Sequence, residues 1–190
     1  MHMIEVERKR IVDKKDLPNL ISKLNENNFI KSGHFVEIDR YFTRSDIDYI
    51  ETMECLRTRI RGEFAEITYK PPTIKKKNSS EGITSKKELN LILSDSKQAE
   101  AANQLLEVIG LIPVVTVYKN RTNYKNKLND NITISIDEIG DAGIFVEVEI
   151  MSTETNKAQE ELKSVEKVLG ILNFDILDKS YRDIVMKSEE

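Results

Sequence analysis

Strict alternation of charged and apolar residues, repeated in segment after segment, is what leaves this chain the fewest folds to choose from. Ile4, Val6 and Arg8 alternate with Glu5, Glu7 and Lys9, and Leu56, Thr58 and Ile60 alternate with Arg57, Arg59 and Arg61. Ala65, Ile67 and Tyr69 alternate with Glu66, Thr68 and Lys70, and Val146, Val148 and Ile150 with Glu147 and Glu149. Lys86, Glu88 and Asn90 fall on one parity, as do Lys119 and Arg121, and Ser135 and Asp137. Residues two apart point the same way from a strand, so the charges stand in rows. The pattern predicts strands over roughly 3–11, 36–43, 53–61, 63–70, 84–93, 113–124, 131–138 and 144–151.

An ordinary sheet with its polar face in water accounts for any one of these strands. The set as a whole does not sit easily on an outer face. Acids gather at both ends of the chain, in Glu5, Glu7, Glu147 and Glu149, and bases in the middle, in Arg57, Arg59, Lys70, Lys86, Lys119 and Arg121. Like charges side by side on a strand repel and cost stability unless something binds between them.

Helical periodicity marks three segments. Leu17, Leu20, Ile21 and Leu24 recur at i, i+3, i+4 and i+7, and so do Ala102, Leu105, Leu106 and Ile109, after capping residues Ser94-Asp95-Ser96 and before Gly110. Ala158, Leu162, Val165 and Leu169 form the third stripe, closed by Gly170, and a short helix is expected around 182–187. Amphipathic helices need an apolar surface to cover. If they cover the outside of a barrel, the apolar rows face them and the charged rows face inward. About eight strands suffice to close one. The expected fold is α+β: an eight-stranded antiparallel β-barrel, a tunnel, with helices packed on the outside, in a single domain over 1–190. The least regular stretch, Pro71 to Gly82 with Lys75-Lys76-Lys77, reads as a loop. Either it is a solvated charged face or it is a lid over the tunnel mouth that attracts anions.

Composition narrows the chemistry. Lys and Arg number 29 against 33 Asp and Glu, a net charge of -4, so nucleic acid is not an expected partner. No apolar run approaches the ~18 residues of a membrane helix, and the N-terminus lacks a basic-then-apolar leader; a cytoplasmic location is expected. The single cysteine, Cys55, excludes an internal disulfide and a cysteine-rich zinc site, and reads as a packing residue. His34 reads as a loop or strand-edge residue.

Enclosed charges are costly unless paired or occupied. Paired carboxylates suit Mg²⁺ or Mn²⁺, and rows of Arg and Lys suit phosphate oxygens. Together they point to a polyanion carrying metal, most simply a triphosphate. Neither G-x-x-x-x-G-K-[ST] nor G-x-G-x-x-G is present, so a glycine-rich phosphate loop is not the device used.

Glu5-Val6-Glu7-Arg8-Lys9 resembles the ExExK signature of the CYTH superfamily, the triphosphate tunnel metalloenzymes. Further similarity follows in order along nearly the whole chain. It runs through Asp39-Arg40-Tyr41-Phe42, Leu56-Arg57-Thr58-Arg59, Thr68-Tyr69-Lys70, Lys86-Lys87-Glu88, Lys119-Asn120-Arg121, Ile136-Asp137-Glu138, Phe145 to Glu149, and Ser180-Tyr181. Ser135 to Gly140 and Asp48 to Thr52 resemble the class IV adenylyl cyclase branch most closely. The resemblance implies that Glu5, Glu7, Glu147 and Glu149 hold catalytic metal, with Asp137 joining them or orienting a water. It implies that Lys9, Arg57, Arg59, Lys70, Lys119 and Arg121 bind the triphosphate, with Lys86 and Glu88 further along the same lumen. Lys86 stands where the branch usually has Arg, and Asn90 where it has an acid, which bears on substrate discrimination. Arg182 reaches the lumen if the last helix plugs the barrel.

Three functions follow from the resemblance and the charge pattern. The first is a cyclase acting on ATP, which joins the 3′-hydroxyl to the α-phosphorus and releases pyrophosphate. The second is a triphosphatase hydrolysing inorganic, nucleoside or thiamine triphosphate. The third is a polyphosphate-binding module without turnover. The partner is a small triphosphate, the metal is Mg²⁺ or Mn²⁺, and the chain is a monomer or a homodimer.

Overall fold

The computed structural model describes residues 4–72, 82–86 and 88–188. The expected loop at 71–82 falls mostly outside the described residues. The chain forms two compact units. The first comprises Met1–His34, Lys77–Ser85 and Asn120–Asp178; the second comprises Phe35–Lys76, Lys86–Lys119 and Lys179–Glu190. Two long strands, β2 (Phe29–Arg44) and β7 (Leu111–Asn126), contribute to both.

In the first unit the strand order is β10-β1-β9-β8-β7, with β1 at Ile4–Val12, β8 at Ile132–Ile139, β9 at Gly143–Ser152 and β10 at Ile176–Leu177. Every pairing in this order with a resolved register is antiparallel. Helices α1 (Leu17–Glu26) and α3 (Thr155–Leu169) belong to the same unit. Leu20 and Leu24 from α1 join Ala158, Leu162, Val165 and Leu169 from α3 over Val6, Ile134, Val146, Val148 and Ile150 of the sheet. These are the helical stripes and strand parities read from the sequence. Gly170 closes α3 at φ 71°, a left-handed conformation that glycine adopts without a Cβ penalty.

Two cations interrupt that apolar face. Arg8 and Arg10 lie on the helix-covered side of β1, and both bind Glu166 of α3, which is fully buried. Arg10 donates from Nε to Glu166 Oε1 at 2.6 Å and from Nη2 to Oε2 at 2.9 Å. Arg8 donates from Nε to Oε1 at 2.8 Å and closely from Nη2 to Oε2. Arg10 also donates to the carbonyls of Leu172 and Phe174 at 3.1 and 2.6 Å.

In the second unit β2 pairs with β3 (Cys55–Arg61), β3 with β4 (Phe64–Lys70), and β4 with β6 (Leu89–Leu93), all antiparallel. The β3–β4 hairpin turns tightly at Gly62, whose φ of 59° suits glycine. Helix α2 (Ser96–Val108) packs on one face of β3 and β4. Asp95 caps it, accepting from the backbone N–H of Lys97 and Gln98 at 2.8 and 3.0 Å. Helix α4 (Tyr181–Ser188) is held by Arg182, which donates to the carbonyl of Glu54 at 3.0 Å. That contact is to backbone, so Arg182 acts as a clamp on the chain before β3.

The architecture is α+β, with antiparallel strands bearing α1, α2 and α3 on one face and the charged rows on the other, while Tyr181 of α4 stacks on Lys119 of the charged face. Among the described residues the strands number ten, against the eight expected. The additions are the two-residue β10, too short to show periodicity, and a division of the expected strand 84–93. Its first part, β5 (Thr84–Lys86), pairs with β1, and its second, β6, pairs with β4. Lys86 and Glu88 therefore do not share a strand.

Candidate active site

Antiparallel register decides which charges meet, because directly opposed residues share a face. In the first unit three rows cross the face away from the helices. Glu7, Glu149, Thr133 and Lys125 form one. Lys9, Glu147, Ser135 and Asn123 form the next, and Asp137 with Arg121 belongs to the third. Glu5 lies two residues before Glu7 on the same side of β1, opposite Met151.

Acids and bases interleave across these rows. Lys9 Nζ donates to Glu7 Oε1 at 2.7 Å and lies 3.7 Å from Glu147 Oε2. Arg121 donates from Nε and Nη2 to the two oxygens of Asp137, both at 2.6 Å, and from Nη2 to Glu147 Oε2 at 3.1 Å. Asp137 is fully buried, and Glu147 and Arg121 nearly so.

The acids outnumber their partners, and their titration shows it. Burial, followed by the charges of Glu147 and Glu7, pushes Glu149 up to about 7. Burial and the Glu7 charge raise Glu147 despite Lys9 and Arg121. Burial alone would lower Lys9, but Glu147 and Glu7 outweigh it and hold the ammonium firmly protonated. Among the described residues no three His, Cys, Asp or Glu side chains converge as a finished metal cage. The donor chemistry nevertheless fits a hard divalent cation. Glu7, Glu147 and Glu149 are neighbouring carboxylates that oppose each other's ionisation, and a cation among them removes that cost.

In the second unit the face opposite α2 carries Asp39–Arg59–Glu66 and Tyr41–Arg57–Thr68–Asn90 as cross-strand rows. Lys119 and Glu37 join them. Asp39 accepts from Arg59 Nε and Nη2 at 2.6 and 2.8 Å, from Lys119 Nζ at 3.3 Å and from Arg57 Nη1 at 3.4 Å. Glu37 lies 2.9 Å from Lys119 and 3.4 Å from Arg59. Burial would raise Asp39, but Lys119, Arg57 and Arg59 hold it well below the usual carboxylate range. Lys70 makes a close ion pair with Glu88, which keeps Glu88 ionised despite its burial. The side chain of Lys86 lies outside the described residues.

The structure thus groups Glu7, Lys9, Arg121, Asp137, Glu147 and Glu149 in one unit, with Glu5 further along β1. It groups Arg57, Arg59 and Lys119 in the other, with Lys70 paired to Glu88, whose charge also acts on Arg57. Sequence reasoning passed over Glu37 and Asp39 as site residues, although they alternate with Val36 and Ile38. It also passed over Lys125, which donates to Thr133 Oγ1 at 2.6 Å in the row of Glu149. Cys55 is half-buried opposite Lys70, on the ionic face rather than in the apolar core. His34 hydrogen-bonds through Nδ1 with Thr122 Oγ1 at 2.9 Å, at the surface.

Comparison with known proteins bears on the family and the fold. The family model for the CYTH domain matches residues 3–181. A protein of Methanocaldococcus jannaschii named "Putative adenylate cyclase MJ0240" is 33% identical over 186 residues, which cover 96% of this chain and 98% of that protein. The structure of the PH1819 protein from Pyrococcus horikoshii is similar at a TM-score of 0.78 and 25% identity, covering 97% of this chain and 99% of that one. A Hippeastrum "putative adenylyl cyclase", described as having a dominant triphosphatase activity, shares the fold at a TM-score of 0.71. It is 17% identical, with 100% of this chain and 97% of that one covered. No helix among the described residues is long and apolar enough to cross a membrane.

Proposed function

The chain belongs to the CYTH family, and from that premise we propose that it is a divalent-metal-dependent enzyme acting on triphosphates, as an adenylyl cyclase of the class IV kind. The observation that carries the reading is the register of β1 on β9, which opposes Glu7 to Glu149 and Lys9 to Glu147 on one face. An anion binder has no need of that many carboxylates, whereas a metal-assisted enzyme does. The family model covers both units, which supports treating 3–181 as one domain.

In this reading Glu5, Glu7, Glu147 and Glu149 hold Mg²⁺ or Mn²⁺, and Asp137 completes the acid set. The bound cation supplies Lewis acidity that lowers the pKa of the attacking hydroxyl and relieves charge on the leaving phosphates. The chain's own cations do the rest. Arg57, Arg59, Lys70, Lys86 and Lys119 bind phosphoryl oxygens and fix their position. Lys9 and Arg121, tied to Glu7, Glu147 and Asp137, offset charge that builds up on the non-bridging oxygens. The 3′-hydroxyl of ATP gives up its proton to water and attacks the α-phosphorus in line, the bond from the α-phosphorus to the bridging oxygen breaks, and pyrophosphate leaves. Phosphoryl chemistry asks for positioning and charge more than for a protein nucleophile, and neither His nor Cys is required.

Hydrolysis is the second reading, supported by the triphosphatase activity described for the Hippeastrum protein of the same fold. The same residues would serve, with water attacking the γ-phosphorus. One experiment separates the readings: purified protein with ATP or inorganic triphosphate, Mg²⁺ or Mn²⁺, and chromatography of the products. Cyclic AMP with pyrophosphate is the expected outcome. Free phosphate from either substrate selects the hydrolase, and binding without turnover selects the sequestering module.

A further inference from the structure

Two buried polar atoms of the second unit have no hydrogen-bond partner among the described residues and belong to directly paired residues: Arg57 Nε and Thr68 Oγ1. Arg57 and Thr68 are directly opposed residues of β3 and β4, so their side chains share the ionic face. Thr68 is fully buried. An unsatisfied buried donor costs free energy that a protein ordinarily avoids. Arg57 is anchored at its other end, where Nη1 reaches Asp39 Oδ2 at 3.4 Å. That contact leaves the Nε–H side of the guanidinium without an acceptor. One cation donor and one hydroxyl donor, from opposed residues on the face that carries Arg59 and Lys119, suit a phosphoryl oxygen as their shared acceptor.

We propose that Thr68 is a substrate-contacting residue, its hydroxyl and Arg57 Nε together donating to one phosphoryl oxygen of the triphosphate. Asp39 acts as the positioning residue that aims Arg57. This rests on the triphosphate reading above and adds to it a neutral donor that charge patterning could not reveal. The chemistry required of the ligand is an anionic tetrahedral oxygen presented to two donors on neighbouring strands.

Thr68→Val keeps the β-branched shape and removes only the hydroxyl. It also removes an unsatisfied buried group, so the unliganded variant should melt at the same temperature as wild type or higher. Its KM for the turned-over triphosphate, and its Kd for inorganic triphosphate by calorimetry, should rise about tenfold, the scale of one hydrogen bond to a charged group. Thr68→Ser should restore both. Unchanged KM and Kd in Thr68→Val overturn the proposal, as does a Ser variant that behaves like Val. A lowered melting temperature with unchanged affinity reassigns Thr68 to a structural role. Should Thr68→Val fail to fold, Thr68→Ser and Thr68→Ala compared with each other give the same contrast. Wild-type protein that neither binds nor turns over triphosphate rejects the underlying function instead, so the two failures are distinguishable.

Discussion

At the scale of single residues, the ionic faces show how far a folded protein can crowd like charges. Glu149 is the extreme case. Its carboxyl is pushed up to about 7, first by burial and then by Glu147 and Glu7. An acid whose folded value exceeds its unfolded one holds a proton in the native state that the unfolded chain has already lost. The stabilisation is present below about 4.5, the ordinary glutamate value, and is lost as pH climbs to about 7. Metal-free wild-type protein should therefore lose melting temperature relative to Glu149→Gln between pH 5 and 7.5. The two proteins should converge at the acid end, where Glu149 is neutral in both folded and unfolded chains, and the Gln variant should be the more stable at the neutral end. Parallel pH profiles for the two proteins would remove the crowding.

At the scale of elements, β1 serves two purposes on its two faces. Glu5, Glu7 and Lys9 face one way, while Arg8 and Arg10 face α3 and share Glu166. The strand that carries the signature acids is thus fixed against its helix by charge as well as by packing. Breaking a buried ionic group by removing one partner leaves unpaired charge in a dry site, at a cost of about 3–5 kcal/mol. Glu166→Gln should lower the urea midpoint by a corresponding amount. Replacing Arg8, Arg10 and Glu166 together with apolar residues of similar volume should cost far less, because no charge is then stranded. Equal losses in the two proteins would mean that packing, not ion pairing, holds α3 to β1.

Across the whole molecule, the charges divide by unit. The first unit gathers Glu5, Glu7, Asp137, Glu147 and Glu149 around fewer cations, and the second gathers Arg57, Arg59 and Lys119 around Glu37 and Asp39. Excess negative charge in one unit gives a divalent cation a reason to bind the folded state. Chelation should abolish turnover, and Mg²⁺ or Mn²⁺ should restore it. At a cation concentration of about 100 Kd the folded state gains about 2.7 kcal/mol, seen as a raised melting temperature. Chelated protein with full turnover and an unmoved transition would dismiss the metal.

Much of this was legible along the chain, and the reason is the short range of the signals involved. Period-two alternation assigned Glu7, Glu147 and Glu149 to one side of their strands, and the i, i+3, i+4 stripes found α1 and α3; α2 forms where expected but buries Ala99, Ala102 and Asn103, leaving Leu105 and Ile109 of the expected stripe exposed. Asp95 and Gly170 marked helix ends because capping is a matter of a few adjacent residues. The two-residue β10 and the break between β5 and β6 escaped because neither leaves a periodic trace.

The sequence by itself determined which residues are charged, which side of each strand they occupy, and the family to which the pattern belongs, since alternation and propensity are local properties. Only the tertiary structure decided who meets whom. It opposed Glu7 to Glu149, set Arg121 between Asp137 and Glu147, drew Lys119 to an acid 80 residues away, and left Thr68 beside Arg57 with a hydroxyl to offer. Those partnerships depend on strand register and on contacts between segments remote in the chain, and a shift of one residue in any pairing would have turned the same charges to the opposite face.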